Sequence, residues 1–441
     1  MSEILSKTEN IVKRSKALGA EEVIAKTVAS RNRQVRFSNS QIDTSLAWNF
    51  YVTDVVLSWK KRVVATQIAN FQKVDPTLKC LFELAKVSKE NPSHGGFARG
   101  KFNYPKNKAD KTIDNLDNPA ELVFEAIEAA RREAGPKTNS GGIFYANTSD
   151  VYQVSSEGST GTDHRSSVEI SIRAFSEKEA SGHAVECGST LKGFEAARAG
   201  KKAGEIARQA KNPKPGVEGK FDVVFDPLFS GSLLGMWGVM ASAYYVMVQL
   251  SIFVDKLRQK VASEKVTLID VPGAYSMSHR IFDDEGAPTR ENVIIEKGVL
   301  KTYLHNTSTA KIFKTATTGN AGIVSPTPWN LEMDPGKMNK EELIKEVKHG
   351  LYLTNTWYTR FQNQATGDFS TIPRDGIFQI ENGEIKQSLK NIRISDNALK
   401  MLNNVVEVSR ERQHVHWWVE ADPPSLSPYI LMKDVQITTS K

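Results

Sequence analysis

Two histidines near the carboxyl end have the spacing that most directly suggests metal chemistry. The sequence contains eight histidines, and only His414 and His416 lie close enough together to be taken as a pair. On a β-strand this spacing places both imidazoles on one face, as a zinc or nickel pair requires. The sequence shows no third ligand, and the adjacent Trp417 and Trp418 favour an ordinary strand at a core edge or an interface. Both interpretations stay open at this point.

A run of three carboxylates, Asp283, Asp284 and Glu285, is a second candidate, because neighbouring acids can serve as general acid and general base. Gly286 and Pro288 follow directly and predict a turn, on which adjacent carboxylates usually face solvent. The residues alone therefore predict exposed acids on a turn.

Two further loops have a double interpretation, as flexible turns or as backbone that lines a peptide groove. Their residues are Thr318, Gly319 and Asn320 in one loop and Gly367, Asp368, Phe369 and Ser370 in the other. The sequence contains neither a glycine-rich phosphate loop followed by Lys-Ser/Thr nor a Gly-x-Ser-x-Gly nucleophile turn. Nucleotide-phosphate and serine-hydrolase chemistry are therefore not indicated.

The elements that would position these residues divide the chain into three predicted domains and a linker. Residues 1–111 are predicted to form a helix packed on an antiparallel sheet, because a helical apolar pattern precedes segments rich in Val, Ile and aromatic residues. Residues 112–211 form a second α+β domain, whose first helix we expect Asn118 to cap. Residues 212–219 are a linker, since two prolines and a glycine fall within five residues there.

Residues 220–441 form the third and longest predicted domain. Asn382 and Gly383 predict a two-residue hairpin turn, and Asn339 with Glu342 predicts a capping box that opens a helix. Helices and hairpins alternate here with few βαβ signatures, so the predicted fold class is α+β, with antiparallel sheets and packed helices.

A 28-residue run without charge extends from Pro227 to Val254, which is long enough to cross a bilayer. Four serines, a glutamine, three glycines and acids at both ends argue against insertion. We expect a buried helix or helical hairpin there and no membrane span, although the sequence does not tell whether residues 221–260 form one helix or two.

The net charge, the cysteine content and the amino-terminal sequence bear on which partners and which compartment to expect. A net charge of +7 is dispersed among many acids, which favours solubility over a nucleic-acid groove. The two cysteines, Cys80 and Cys187, are far apart and suit a reducing compartment. The amino terminus has no secretion-signal pattern, so a cytoplasmic location is the expectation.

A set of strings between Phe282 and Ile385 resembles the TldD/PmbA family, which includes the TldD/TldE peptidase pair and was once labelled a modulator of DNA gyrase. These strings are Phe-Asp-Asp-Glu-Gly-Ala-Pro-Thr, Thr-Thr-Gly-Asn-Ala-Gly, Gly-Asp-Phe-Ser and Ile-Glu-Asn-Gly-Glu-Ile. The resemblance implies that the Asp283–Glu285 turn and the two small loops lie near a peptide groove.

Catalytic members of that family carry His-Glu-x-x-x-His on a helix before the acidic string. The matching positions here are Gly235, Met236 and Met240. Glycine has no side chain, and a thioether does not suit a hydrolytic zinc site. Family zinc sites also use a cysteine near the carboxyl end, whereas Cys187 is the last cysteine of this chain. We therefore expect no catalytic residue, metal or other cofactor in this chain.

Among family members, the chain is most similar to the TldE/PmbA type. The resemblance implies a non-catalytic subunit of a TldD/TldE-type complex that cleaves unfolded or short peptides, with zinc in a TldD-like catalytic partner. The alternatives are a stand-alone homodimeric peptide-binding or scaffold protein, and a metallopeptidase with an unrecognised site that uses His414 and His416.

Overall fold

The computed structural model describes residues 3–107, 109–273 and 276–439. It is a mixed α+β structure built mainly on antiparallel sheets, which confirms the predicted fold class. The outer limits of the predicted first and last domains, residues 1 and 441, lie outside the described residues.

The first half of the chain contains four helices and six strands among its described residues. In chain order they are α1 Glu3–Ala17, β1 Glu22–Ser38, β2 Gln41–Trp59, β3 Arg62–Ile68, α2 Val74–Val87, α3 Pro119–Ala134, β4 Asn139–Ser155, β5 Thr160–Glu177, β6 Ala180–Gly188 and α4 Ala196–Gln209.

All six strands of this half form one antiparallel sheet in the order β3-β2-β1-β4-β5-β6. Strand β1 pairs with β4 from Ile24 to Phe37. The sheet therefore joins residues of the first two predicted domains, and the division at residues 111 and 112 stays a prediction.

The sheet buries one face under helices. Val23 and Ala25 of β1 pack with Ile11 of α1 and Leu78 of α2, while Val35, further along the same strand, packs with helices α3 and α4. Since alternate residues of a strand point to opposite faces, the even-numbered residues of β1 face the other way. We call the two sides of this sheet the helix face and the open face.

The second half of the chain contains twelve strands and five helices among its described residues. They are β7 Lys214–Pro215, β8 Gly219–Phe225, α5 Pro227–Met240, α6 Ala243–Met247, β9 Leu268–Asp270, β10 Asn292–Glu296, β11 Val299–Leu300, α7 Thr307–Ile312, β12 Leu331–Met333, α8 Lys340–Lys345, β13 His349–Asn363, β14 Asp368–Glu381, β15 Glu384–Lys390, β16 Ile392–Asn397, α9 Ala398–Asn403, β17 Val405–Trp417 and β18 Ala421–Thr439.

These strands form a second sheet with the main order β11-β10-β9-β12-β18-β8-β13-β14-β15-β7. Strand β16 bridges β14 and β18, and β17 pairs with β18. Helix α5 lies against this sheet, and its Trp237 is fully buried in the largest apolar core. The Trp237 indole donates a hydrogen bond to the Ala398 carbonyl at 3.1 Å, which satisfies its polar atom.

The charge-free run of residues 227–254 contains two helices, α5 and the short α6. Within the described parts of the chain, no helix is long and apolar enough to cross a membrane. The capping box at Asn339 and the hairpin around Asn382 and Gly383 are confirmed. Helix α3 begins directly after Asn118, as predicted, but the Asn118 side chain caps no backbone N–H, and its amide donates to the Glu121 carboxylate instead.

Candidate functional site

Helix α5 holds Gly235, Met236 and Met240, the positions that the resemblance matches to a metal motif, so its surroundings bear on metal binding. The helix begins directly after Asp226, whose carboxylate accepts a hydrogen bond from Leu228 N at 3.2 Å. Pro227 takes the first helical position, where its missing N–H costs nothing. An acid followed by proline at the start of an apolar run signals a helix start, a signal that our sequence analysis did not use.

The capping carboxylate is buried and paired. Asp226 is fully inaccessible to solvent and binds Lys202 of α4 at 2.7 Å and the Tyr352 hydroxyl at 2.7 Å. Burial alone lowers the pKa of Lys202, but the charge of Asp226 raises it above its usual value. Lys202 therefore stays charged, and its contact with Asp226 ties α4 of the first half to the start of α5.

Three glycines allow α5 to pack closely against its neighbours. A β-carbon on Gly231 would lie 2.5 Å from Val415 Cγ2, and one on Gly238 would lie 2.4 Å from Leu331 Cδ1. At Gly235 the obstacle is backbone, since a β-carbon there would lie 2.7 Å from the Asp422 carbonyl oxygen. The space that a ligand side chain would need at residue 235 is therefore filled by β18.

The other two motif positions do not fit a metal either. Met240 is buried in the apolar core and Met236 packs against that core, and both offer only a thioether, which is a poor ligand for hydrolytic zinc. Across the described residues, no group of three or more His, Cys, Asp or Glu side chains is placed to hold a metal ion. The residues present thus do not fit the zinc of catalytic relatives.

An aromatic cluster lies beside α5, at the turn between β17 and β18. Trp357 stacks on Trp418 with ring centroids 5.8 Å apart, and Trp418 is 63% exposed. Below the rings, the buried Glu420 carboxylate accepts hydrogen bonds from the backbone N–H groups of Tyr358 and Thr359 at 2.9 and 3.1 Å. The interpretation of this tryptophan-rich segment as a core edge or interface stays a prediction.

The histidine pair is divided between different environments. His416 binds the Glu169 carboxylate of β5 at 2.5 Å. Burial alone lowers the pKa of His416, but the hydrogen bond and charge of Glu169 raise it above its usual value. Burial lowers the pKa of His414, and Arg412 adds to this shift. His416 therefore joins the two halves of the chain through its contact with the Glu169 carboxylate.

The acidic turn is buried, which corrects the expectation of solvent-facing carboxylates. Asp283 is fully buried, and its carboxylate accepts hydrogen bonds from Glu285 N, Ala287 N and Ala321 N at 2.9 to 3.0 Å. Burial raises the pKa of Asp283 well above its usual value, and the charge of Glu285 adds to this shift. The turn faces inward because these N–H groups replace the water that a carboxylate would otherwise need.

The next two acids meet the open face of the first sheet. Lys26 of β1 binds Asp284 at 2.9 Å and Asp54 at 3.4 Å. Glu285 is 7% exposed and accepts a hydrogen bond from Thr307 N at 3.2 Å. Burial raises the pKa of Glu285 to about 7, despite hydrogen bonds that favour its carboxylate form. A glutamate of this kind can exchange a proton near neutral pH.

A cavity of about 160 Å³ lies at this junction. Its walls include Lys26, Asp54, His94, Asp284, Glu285 and Asn306. The His94 ring lies 2.8 Å from the Glu22 carboxylate. Burial alone raises the pKa of Glu22, but hydrogen bonds from His94 and Ser58 lower it to about 2. Sequence reasoning missed Lys26 and His94, because single basic residues in separate segments carry no local signal.

The loop of Thr318, Gly319 and Asn320 joins the acidic turn, since Ala321 binds both Asp283 and Asp284. Asn320 is fully buried and donates to the Asp270 carboxylate at 2.6 Å. The Thr318 hydroxyl accepts from His305 N at 2.7 Å. These two side chains are buried, and their hydrogen bonds fix the position of the loop.

The Gly367–Ser370 segment lies at the start of β14, among different neighbours. Gly367 has a φ of +85°, and a β-carbon there would lie 2.5 Å from Ile252 Cγ2. Asp368 accepts a hydrogen bond from Asn397, and Phe369 is fully buried in the core of the second sheet. The structure thus brings the acidic turn and the loop of Thr318, Gly319 and Asn320 together, and it places residues 367–370 at the start of a strand of the second sheet.

Comparison with known proteins gives matches to two family sequence models. The sequence model of the PmbA/TldA metallopeptidase central domain matches residues 110–211. That of the PmbA/TldA metallopeptidase C-terminal domain matches residues 218–439. The second match alone covers half of the chain.

Individual relatives agree with these matches. A metalloprotease of Methanocaldococcus jannaschii is 35% identical over 226 residues, or 47% of this chain and 48% of that protein. A metalloprotease TldD homolog of Buchnera aphidicola subsp. Acyrthosiphon pisum is 29% identical over 213 residues, or 46% of this chain and 44% of that protein. The alignments thus span about half the length of these relatives.

The fold extends the similarity over nearly the whole chain. The crystal structure of TldE from Thermococcus kodakarensis superposes with a TM-score of 0.87 at 21% identity, covering 98% of this chain and 100% of that one. At this identity the likeness shows the fold alone. Together with the domain matches, it leads to one conclusion: the chain belongs to the PmbA/TldD metallopeptidase family.

Proposed function

We propose that this chain is a non-catalytic, TldE/PmbA-like subunit of a TldD/TldE-type zinc metallopeptidase complex. The observation that carries the proposal is the closed packing at Gly235, where the Asp422 carbonyl fills the space a metal ligand would need. Zinc and bond cleavage then belong to a TldD-like catalytic partner. The complex acts in the cytoplasm on unfolded or short peptides.

The contribution of this chain is a wall of the compartment in which peptides are cleaved. An extended peptide can be held by main-chain hydrogen bonds to a strand or loop, without a particular side chain. Glu285 and Asp284 sit at a cavity between the two halves of the chain, whereas Asp283, Asn320 and Phe369 are fully buried. We assign the buried residues a supporting role behind the groove surface.

The test is reconstitution with a TldD-like chain from the same cell. We expect the two chains to co-purify, and we expect peptide cleavage by the pair but not by this chain alone. A chelator should abolish cleavage, and the metal should be recovered with the catalytic chain. Hydrolysis by the isolated chain, or zinc bound to it in a one-to-one ratio, would contradict the proposal.

A matched pair of variants sharpens this test. Exchange of the zinc-motif glutamate for glutamine in the catalytic chain should abolish cleavage and leave co-purification unchanged. In this chain, Met236→Glu introduces an acid at a motif position and should restore no activity, because Gly235 still provides no ligand. Activity gained by Met236→Glu without the catalytic chain would overturn the assignment.

A further inference from the structure

Arg280 carries a positive charge that is largely buried and has no close counter-ion. Its side chain is 17% exposed, and the nearest carboxylate oxygen, Oδ1 of Asp284, lies 4.0 Å from Nη1. That same oxygen accepts a hydrogen bond from Lys26 at 2.9 Å. Among the described residues, the Arg280 guanidinium donates one hydrogen bond, from Nε to the Ser278 carbonyl at 3.5 Å. Its terminal amino groups are therefore left for another acceptor.

Two other acids act on Arg280 through their charge, but both already accept hydrogen bonds from other groups. Asp163 accepts from Arg165 at 2.8 Å, and Asp270 accepts from the Asn320 amide at 2.6 Å. Burial lowers the pKa of Arg280 to about 10, and the charge of Arg165 adds to this shift despite the nearby acids. A buried charge that lacks a partner is costly, so an added anion would be favourable beside this guanidinium.

Arg280 is also held in place from several sides. The guanidinium carbon lies over the Trp329 ring, 3.6 Å from its centroid, and a guanidinium that contacts a ring through its face keeps its N–H edge available. The Arg280 backbone N–H donates to the Pro272 carbonyl at 3.1 Å, and its carbonyl accepts from the Thr289 hydroxyl at 2.6 Å. Such preorganisation lowers the entropy cost of binding a ligand.

Arg280 lines a cavity of about 310 Å³. Two further cations, Lys106 and Arg290, line the same cavity, and Glu291 is the one acid among the described residues of its wall. Lys106 and Arg290 are exposed, so they add a long-range attraction for anions that salt weakens. The apolar part of the wall is formed by Pro105, Val271, Pro272 and Ile281.

We propose that this cavity, which we call the Arg280 cavity, binds the carboxyl-terminal carboxylate of a short peptide, with the guanidinium of Arg280 as its main partner. That the ligand is an anion follows from the side chains of the cavity. That the anion belongs to a peptide rests on the proposed function, because short peptides are what the complex would hold.

The donors and the walls of the Arg280 cavity both favour a carboxylate. A guanidinium presents parallel N–H groups that match the two oxygens of a carboxylate. A cavity of about 310 Å³ leaves room beyond the carboxylate, and apolar walls can receive the side chain of the terminal residue. Inorganic phosphate shares the negative charge but has no group that would fill the apolar part.

The first experiment is calorimetric titration of the full chain with N-acetyl-glycyl-leucine and with the same dipeptide as its carboxyl-terminal amide. We expect the acid to bind about tenfold or more tightly than the amide, because the amide lacks the charge that strengthens hydrogen bonds to Arg280. Inorganic phosphate, titrated separately, should bind more weakly than the acid. Absence of acid binding, equal binding of acid and amide, or tighter binding of phosphate would overturn the proposal.

The second experiment repeats the titration with variants whose folding is verified by circular dichroism. Arg280→Met should remove the preference for the acid, and Arg280→Lys should retain part of it, since lysine keeps the charge without the planar fork. Arg132→Met is the matched control, because it makes the same substitution at an exposed position of α3, and it should bind like the wild type. A folded Arg280→Met variant with an unchanged preference for the acid would contradict the assignment.

Lys106→Glu keeps the test decisive if Arg280→Met does not fold. Lys106 is exposed, so its exchange leaves the core intact while it adds a negative charge to the wall of the cavity. Binding of the acid should weaken, and binding of the amide should stay the same. No effect on the acid, or an equal effect on both ligands, would show that charge in this cavity does not select the ligand, and the proposal would fall.

These titrations need neither a partner chain nor zinc, so they separate this site from the proposed subunit role. A chain that supports cleavage with a TldD-like partner but does not distinguish acid from amide keeps the subunit role and loses the site. A chain that binds the acid but never pairs keeps the site and loses the subunit role.

Discussion

The carbonyl oxygen of Asp422 lies 2.7 Å from the position that a β-carbon on Gly235 would take. Helix α5 and strand β18 can approach this closely only because residue 235 has no side chain. The same glycine that removes a metal ligand therefore also permits the packing of the helix. Residue 235 thus offers no ligand side chain, and its lack of a side chain lets β18 fill the adjacent space.

Gly235→Ala should destabilise the protein, although alanine is the better helix former. Adding a methyl group against backbone forces α5 or β18 to shift, at a cost of about 1–3 kcal/mol in the free energy of unfolding. Urea denaturation measures this cost. Val239→Ala, on the same helix but only partly buried, serves as the control for general effects on α5. An unchanged or increased stability of Gly235→Ala would show that the contact with Asp422 is not close.

Lys202→Met should lower the free energy of unfolding by about 3–5 kcal/mol, because the fully buried Asp226 then loses its charge partner. Denaturation at neutral pH measures the loss. The double variant with Asp226→Asn should recover part of it, since it removes the unpaired charge while the Tyr352 hydroxyl can still hydrogen-bond to the amide. If the double variant lost as much free energy of unfolding as the two single variants combined, Lys202 and Asp226 would not form a specific pair.

Glu285→Gln should make stability less dependent on pH. The pKa of Glu285 is raised from 4.5 to about 7 in the folded chain, so between these values the folded state holds more protons than the unfolded state. Stability contributed by this group is therefore lost as pH rises from 4.5 to about 7. The variant should equal the wild type at the acidic end and exceed it above neutral pH. Thermal unfolding across this range measures the difference.

The control for that experiment is Glu291→Gln, which changes an exposed glutamate near the same region. It should follow the wild-type profile at every pH. If Glu285→Gln also followed the wild type throughout, the carboxyl group would have to be accessible to water in the folded protein.

His416→Ala should destabilise the chain without changing metal content or cleavage by the reconstituted pair. The pKa of His416 is raised by Glu169, so its stabilising effect is present below the unfolded value of 6.5 and lost as pH rises through the folded value. The cost of the substitution should therefore be larger at about pH 6 than at about pH 9. Denaturation at both pH values and metal analysis check these expectations.

The double variant His414→Ala, His416→Ala addresses the remaining metallopeptidase alternative. Cleavage by the pair should persist, because neither imidazole is placed with a third ligand among the described residues. Simultaneous loss of a bound metal and of activity would reverse the assignment of this chain as non-catalytic.

Several elements were predictable because their signals are local. The capping box at Asn339 and the turn at Asn382-Gly383 depend on a few consecutive residues, and the structure confirms both. The helix start at Asn118 was also predictable, but its side chain makes no capping hydrogen bond, because its amide group turns to donate to the Glu121 carboxylate. The family resemblance rested on short strings between Phe282 and Ile385, and the residue types at positions 235, 236 and 240 were read directly from the sequence.

By itself, the sequence determined the α+β class, the family and the residue types at the motif positions, since composition, periodicity and short motifs carry these. Only the tertiary structure decided that Asp283 and Glu285 are buried, that Lys26 and Lys202 reach carboxylates in the other half of the chain, and that β3 covers only part of one edge of β2. Burial and ion pairing depend on residues far apart in the chain, and strand pairing depends on how far a neighbour extends. None of these properties can be predicted from a local stretch of sequence.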